Sequence, residues 1–259
     1  MGEPRPVYGR DMTSSTHGSD QNSALDIRER GAPRDGQPQS MDRRLFMQLL
    51  VLQQRDGQDF EQRLGQAVAA RGVGAVVYQD VNHPQSAALL TWSEDPGDLV
   101  DKVRPALTHQ ELGAFRVRDA LTMIGRTYSS GYEQDLEYWL LRRPIETALN
   151  REWPWAVWYP LRRSGAFEQL EPREKGAVLR EHAEIGKAYG TADLAHDIRL
   201  ACHGLDANDS EFVIGLIGKE LYPLSHVVQR MRSTQQTSRY IDQMGPFFVG
   251  RAVFWHAGS

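Results

Sequence analysis

LEPREKGAVLREHAEIGKAYGTADLAHDIR, residues 170–199, is the stretch on which the reading of the fold turns. From Arg173 to Tyr189 its pattern is helical. Val178, His182, Ile185 and Tyr189 recur at spacings of four, three and four, so they share one face. The helical pattern then gives way to a strand-like run, DIRLACH (197–203). His182 therefore projects from an apolar stripe, where an imidazole needs a partner for each ring nitrogen. Two readings are open at this point: a hydrogen-bonded core histidine, or a metal ligand with iron as one candidate.

Downstream, the turn-like GLDANDS (204–210) joins DIRLACH to a second strand, EFVIGLI (211–217). A helical stripe of Leu221, Leu224, Val227, Val228 and Met231 follows, and FFVGRAVFW (247–255) closes the unit. Upstream, WAVWYPL (155–161) is a strand. The order is β-α-β-β-α-β, that of a ferredoxin-like unit. The first half repeats it with LFMQLLVL (45–52), a helical face of Phe60, Leu64, Ala67, Val68 and Arg71, GAVVYQD (74–80) and AALLTWS (87–93). A stripe of Leu99, Val103, Ala106 and Leu107 comes next, then FRVRDALTMIGRTY (115–128), whose opening alternation predicts one long strand. The expected fold class is α+β, with ferredoxin-like units at 41–130 and 155–259. Joining their open sheets into a dimeric α+β barrel would cover the exposed edges. A connector, 131–154, carries a short helical piece. Residues 1–40 are rich in Gly, Pro, Ser, Asp, Gln and Arg, and are expected to form a disordered leader. Met41 stands as an alternative start.

A length of 259 residues with 40% hydrophobic content suffices for one large domain or two small ones. A net charge of −4 and the lack of a basic stripe argue against a nucleic-acid partner. Only four of the 30 basic residues are lysine, which reflects either base composition or a use for arginine forks on carboxylates. The single cysteine, Cys202, rules out an intramolecular disulfide framework. No apolar run is long enough for a membrane span and no secretory signal opens the chain, so a cytoplasmic location is expected.

There is no Walker loop, dinucleotide fingerprint or nucleophile elbow. His196 and His203, with Asp206 and Asp209, suggest a metal pair, but the odd separation of seven along a strand puts the two histidines on opposite faces. Three features remain. His182 lies on its apolar face. Tyr159 ends an apolar strand before Pro160, and is either rim packing with a wet hydroxyl or a radical or acid–base group. Arg199 lies inside a strand fit for burial, and is either paired with an acid or committed to a charged ligand.

WYPLRR (158–163), REHAEIGKAYG (180–190), GLDANDSEF (204–212), VVQRMRS (227–233) and MGPFFVGR (244–251) resemble, in order and spacing, the chlorite dismutase family of heme proteins. That family includes the coproheme decarboxylases, the branch this chain is most like. The resemblance covers about 150–255 well, and the first half only through its element order. It implies two ferredoxin-like units in one barrel, assembled as a homo-oligomer, usually a pentamer. It also implies heme b or iron-coproporphyrin III as the iron cofactor. His182 matches the axial iron ligand, and Tyr159 the tyrosine that becomes a radical in the decarboxylases. Arg143, Arg163, Arg232 and Thr237 match groups near the propionates. Arg199 matches the distal arginine of chlorite-splitting members, where decarboxylases commonly carry a neutral residue.

The departures from the family are as informative. Ala166 and Phe167 stand where chlorite-splitting members have paired tryptophans. Gln235 and Gln236 stand nearest to where those members place a glutamate behind the ligand. The resemblance thus implies peroxide-dependent decarboxylation of a porphyrin substrate, with hydrogen peroxide as co-substrate. A chlorite dismutase, a heme peroxidase and a non-catalytic heme-binding protein are the rivals.

Overall fold

The computed structural model describes residues 25–54, 59–108 and 112–259. Among the described residues the strands are β1 (Glu29–Arg34), β2 (Gln37–Met41), β3 (Phe46–Gln53), β4 (Gly74–Asp80), β5 (Ser86–Ser93), β6 (Arg116–Val117), β7 (Met123–Thr127), β8 (Trp155–Arg163), β9 (His196–Ala201), β10 (Phe212–Gly218), β11 (Ile241–Met244) and β12 (Phe248–His256). The helices are α1 (Phe60–Ala69), α2 (Arg104–Leu107), α3 (Arg143–Leu149), α4 (Gly165–Glu168), α5 (Pro172–Thr191), α6 (Leu221–Met231) and α7 (Gln235–Tyr240). The residues ahead of α2 and α3, Leu99–Val103 and Tyr138–Arg142, are wound as π-helix.

The fold is α+β, with one large antiparallel sheet. Each half has the order of a ferredoxin-like unit: β7-β3-β5-β4 in the first, β12-β8-β10-β9 in the second. β4 pairs with β12 and β7 pairs with β9, so the run of pairings returns to its start and the sheet closes on itself. Period-two alternation then divides every strand between an inner and an outer face. Met47, Leu49, Tyr78, Leu90, Ala156, Trp158, Ile198, Leu200 and Phe248 belong to one buried cluster inside the ring. Leu140, Leu141 and Ala148, from the segment linking the two units, join that cluster. On the outside, α1, the π-helical turn at Leu99–Val103 and α2 cover the first unit through Phe60, Leu64, Val68, Val103 and Ala106. In the second unit Leu224 and Val227 of α6 and Ile185 and Tyr189 of α5 lie against Val157, Tyr159 and Leu216.

Two expectations need correction. The expected unstructured leader reaches too far: residues 29–41 form the β1–β2 hairpin. Asp35 and Gly36 both have positive φ, 51° and 75°, as a two-residue hairpin turn requires. The hairpin is anchored by Ala32 N donating to the Glu133 carbonyl and by the Gln39 amide donating to the Glu133 and Gln134 carbonyls. Residues 1–24 lie outside the described residues. The long strand expected at 115–128 is two strands, because Asp119–Leu121 forms a 3₁₀ turn between β6 and β7.

Trp158 is fully buried, and a Cβ added at Gly215, its cross-strand partner, would sit 2.6 Å from its ring. The glycine makes room for the indole inside the ring. Gly215→Ala is expected to lower stability by about 1–3 kcal/mol through overpacking, read as a fall in the midpoint of urea unfolding.

Candidate functional site

Strand register builds the site. Tyr159 pairs with Ile214, and Ile214 pairs with Arg199. These three residues therefore form one transverse row across β8, β10 and β9. Their neighbours Trp158, Val213 and Ile198 belong to the inner cluster, so the row is on the outer face. Adjacent strands lie roughly 4.8 Å apart, which puts the Tyr159 and Arg199 backbones about 10 Å from one another. Tyr159 is 5% exposed, and its ring stacks on Phe247 with centroids 4.7 Å apart. Its hydroxyl makes no hydrogen bond with a described residue. Burial pushes the phenol well above its ordinary pKa; the negative charge of Asp197 adds to that rise and Arg232 opposes it.

Arg232 follows the last turn of α6 and is exposed, with no ion pair among the described residues. Arg199 keeps 40% of its side chain accessible and has Asp197 as its ion-pair neighbour, Nε to Oδ2 at 3.0 Å. Asp197 also holds Arg143, whose fork donates to Oδ1 at 2.6 Å and to the Asp197 carbonyl at 2.8 Å. Burial pulls the Asp197 pKa upward, but Arg199 and Arg143 outweigh it and keep the carboxyl below its ordinary value.

His182 is half-buried on α5, with Nδ1 3.4 Å from the Thr234 hydroxyl oxygen. Thr234 is 1% exposed and caps α7. Its hydroxyl donates to the Met231 carbonyl at 2.8 Å, so its oxygen faces His182 as an acceptor. That arrangement selects the Nδ1–H tautomer and leaves Nε2 as an uncommitted lone pair. Burial, and secondarily the charge of Arg199, hold the His182 pKa below the ordinary value. Neutral imidazole with an available Nε2 is the form in which histidine binds a metal.

The structure thus gathers Tyr159, Arg199, Arg232 and His182 around the outer face of the second unit. Of the other residues implied by the resemblance, Arg143 and Arg163 have internal ion-pair partners. The Arg143 fork is spent on Asp197. Arg163 pairs with Glu211 at 3.2 Å and lies between the Phe167 and Phe212 rings. Thr237 lies next to the site, its backbone N–H donating to Thr234 and its hydroxyl 3.4 Å from the Thr234 hydroxyl. Those internal partners engage the two guanidinium groups, whereas Arg232, near Tyr159, has no ion pair among the described residues. The group behind His182 is also not Gln235 or Gln236. Thr234 takes that place, while Gln235 N donates to Glu181. Asp197 and Thr234 were the functional neighbours missed in sequence. Asp197 could have been found, since it lies two residues before Arg199 on a strand and so on the same face. His196, weighed as a metal ligand, stacks on Trp153 and bonds Asp193, and no group of metal-ligating side chains exists among the described residues.

Comparison with known proteins gives a consistent picture. The family model described as chlorite dismutase matches residues 53–253. A heme-binding protein from Thermus thermophilus superposes with a TM-score of 0.64 at 16% identity, over 82% of this chain and 92% of that one. A mutant chlorite dismutase from Candidatus Nitrospira defluvii gives 0.63 at 10% identity, over 83% and 93%. The chlorite dismutase of the same organism with imidazole gives 0.62 at 12%, again over 83% and 93%. No curated protein matches in sequence. Among the described residues no helix is long and apolar enough to cross a membrane.

The His182 environment has two measurable consequences in the protein without added ligand. Its NMR titration is expected to give a pKa below the ordinary 6.5 or so. Because the folded pKa lies below the unfolded one, the folded state binds fewer protons in that window and stability falls as pH drops through it. Thr234→Val removes the acceptor facing His182 and takes the side-chain cap from the Thr237 N–H, while the Thr234 N–H still pairs the Met231 carbonyl. It is expected to cost about 1–2 kcal/mol and to shift His182 away from a single tautomer, read from its ring-nitrogen chemical shifts.

Proposed function

The chain belongs to the chlorite dismutase family, and from that premise we propose that it is a heme-dependent oxidoreductase that decarboxylates iron-coproporphyrin III to heme b with hydrogen peroxide. The observation that carries the reading is Tyr159: a buried phenol without a hydrogen-bond partner among the described residues, near an exposed Arg232 and on the face that His182 overlooks. The site also fits the group. A flat apolar macrocycle with acidic arms suits a face lined by Ile214, Leu216, Ile185, Val228 and Met231, with an exposed Arg232 and a part-accessible Arg199 beside Asp197. The Thermus thermophilus relative is a heme-binding protein, which supports the same cofactor here.

Heme supplies an iron that peroxide can oxidise. His182 would hold that iron through Nε2, with Thr234 fixing the tautomer. Arg232 would hold a propionate carboxylate against Tyr159 by charge-assisted hydrogen bonds. Tyr159 would give up an electron and its phenolic proton, then recover a hydrogen atom from the propionate carbon next to the ring. Loss of carbon dioxide then leaves a vinyl group. Each propionate releases an electron pair, a proton and carbon dioxide; one peroxide takes the electron pair and two protons and leaves as two waters. The high pKa of Tyr159 keeps the phenol protonated until it is oxidised.

Arg199 favours a second reading, in which an open guanidinium on the same face assists chlorite or peroxide cleavage. The test is to incubate purified protein with iron-coproporphyrin and peroxide and to read porphyrin masses. Conversion is expected for the native chain. Tyr159→Phe is expected to bind the porphyrin within about tenfold of the native affinity, since one hydrogen bond is lost, and to accumulate unreacted substrate. Arg199→Gln should convert it. Turnover by Tyr159→Phe with failure of Arg199→Gln, or oxygen release from chlorite by the native chain, would favour the second reading.

A further inference from the structure

Asp197 and Arg199 stand two apart on β9, so strand periodicity alone places their side chains together on the outer face. Their ion pair is short, 3.0 Å from Nε to Oδ2, yet no hydrogen bond joins them. The hydrogen bonds of Asp197 go to Arg143 instead: Nη2 to Oδ1 at 2.6 Å, and Nη1 to the main-chain carbonyl at 2.8 Å. Arg143 is itself fixed, starting α3 with its guanidinium 4.5 Å over the Trp139 ring. The Arg199 side chain has no hydrogen bond to any described residue, and its ion-pair contact with Asp197 is through Nε. Two arginines and one aspartate leave this cluster with one net positive charge on an accessible face.

Chemistry makes this division of partners unusual. A carboxylate beside an arginine ordinarily closes a two-bond bridge that uses up the arginine fork. Here the competing fork comes from across the molecule and takes the carboxylate first. We propose that Arg143 is a positioning residue acting through Asp197: by gripping that carboxylate it prevents a closed Asp197–Arg199 bridge and keeps the Arg199 donors open to small monovalent anions. The ligand class is azide, nitrite and similar ions that a planar guanidinium can receive. The inference rests on the heme reading for what such an anion meets next, but its first test needs no heme.

Two substitutions are expected to act in opposite directions. Asp197→Asn removes the competing charge and keeps an acceptor for Arg143, so anion binding at Arg199 tightens about three- to tenfold. Arg143→Gln frees Asp197 to turn to Arg199, so binding weakens by a similar factor. The double variant should behave like Asp197→Asn, because no carboxylate remains to turn. Nitrite titration of the chain without heme, followed by the Arg199 Nε–H NMR signal, reads this directly. Azide titration of the ferric heme-loaded chain, followed by its absorption spectrum, should give the same order. A chain that takes up no heme but shows the nitrite pattern defeats the heme reading and keeps this one. Weaker or unchanged nitrite binding in Asp197→Asn overturns the proposal, and so does unchanged binding in a folded Arg143→Gln. If Arg143→Gln does not fold, the direction of the Asp197→Asn change decides alone.

Discussion

Two hydrogen-bond ladders, β8 to β10 and β10 to β9, hold the site together. Their register carries Tyr159, Ile214 and Arg199 in one row. A slip of one residue in either ladder would turn part of that row to the inner face and bring Trp158 or Ile198 out. The inner cluster protects the register, because Trp158 and Phe248 fill the closed ring and Gly215 is shaped to the indole. Packing inside the ring and chemistry outside it are thus two faces of one constraint.

Above that row, the helical layer determines which polar groups stay uncommitted. Asp197 hydrogen-bonds Arg143 and Glu211 engages Arg163, while Arg199 touches Asp197 through Nε and Arg232 has no ion pair among the described residues. Thr234 gives His182 a neutral hydroxyl rather than a carboxylate as its Nδ1 partner. A neutral acceptor passes less negative charge to an imidazole ligand than an ionised acid does, which lowers the electron donation available to a bound metal. The same face brings together a neutral histidine environment, two arginines and a buried phenol, the groups on which the proposed function draws.

Much of this was legible in the sequence, and the limits have physical causes. The doubled β-α-β-β-α-β order could be read because strand and helix periods differ. His182 could be placed on its face from Val178, Ile185 and Tyr189. The hairpin at 29–41 was missed because composition was weighed over the Asp35–Gly36 turn signal. The strand at 115–128 was overextended because alternation in its first residues does not reveal the turn at Asp119–Leu121. Side-chain partnerships were the hardest part. Arg143 meets an acid 54 residues away, Arg163 one 48 away, and His182 a hydroxyl 52 away. No local pattern encodes such pairs; they follow from closure of the ring.

The central proposal is that His182 on α5 would hold the iron of a heme bound at the outer face of the second unit. Resonance Raman spectroscopy of the ferrous heme-loaded protein tests it most directly. The account predicts an iron–histidine stretch that shifts when histidine is labelled with nitrogen-15 and disappears in His182→Ala. A stretch that survives in His182→Ala, or that never responds to the label, would contradict it.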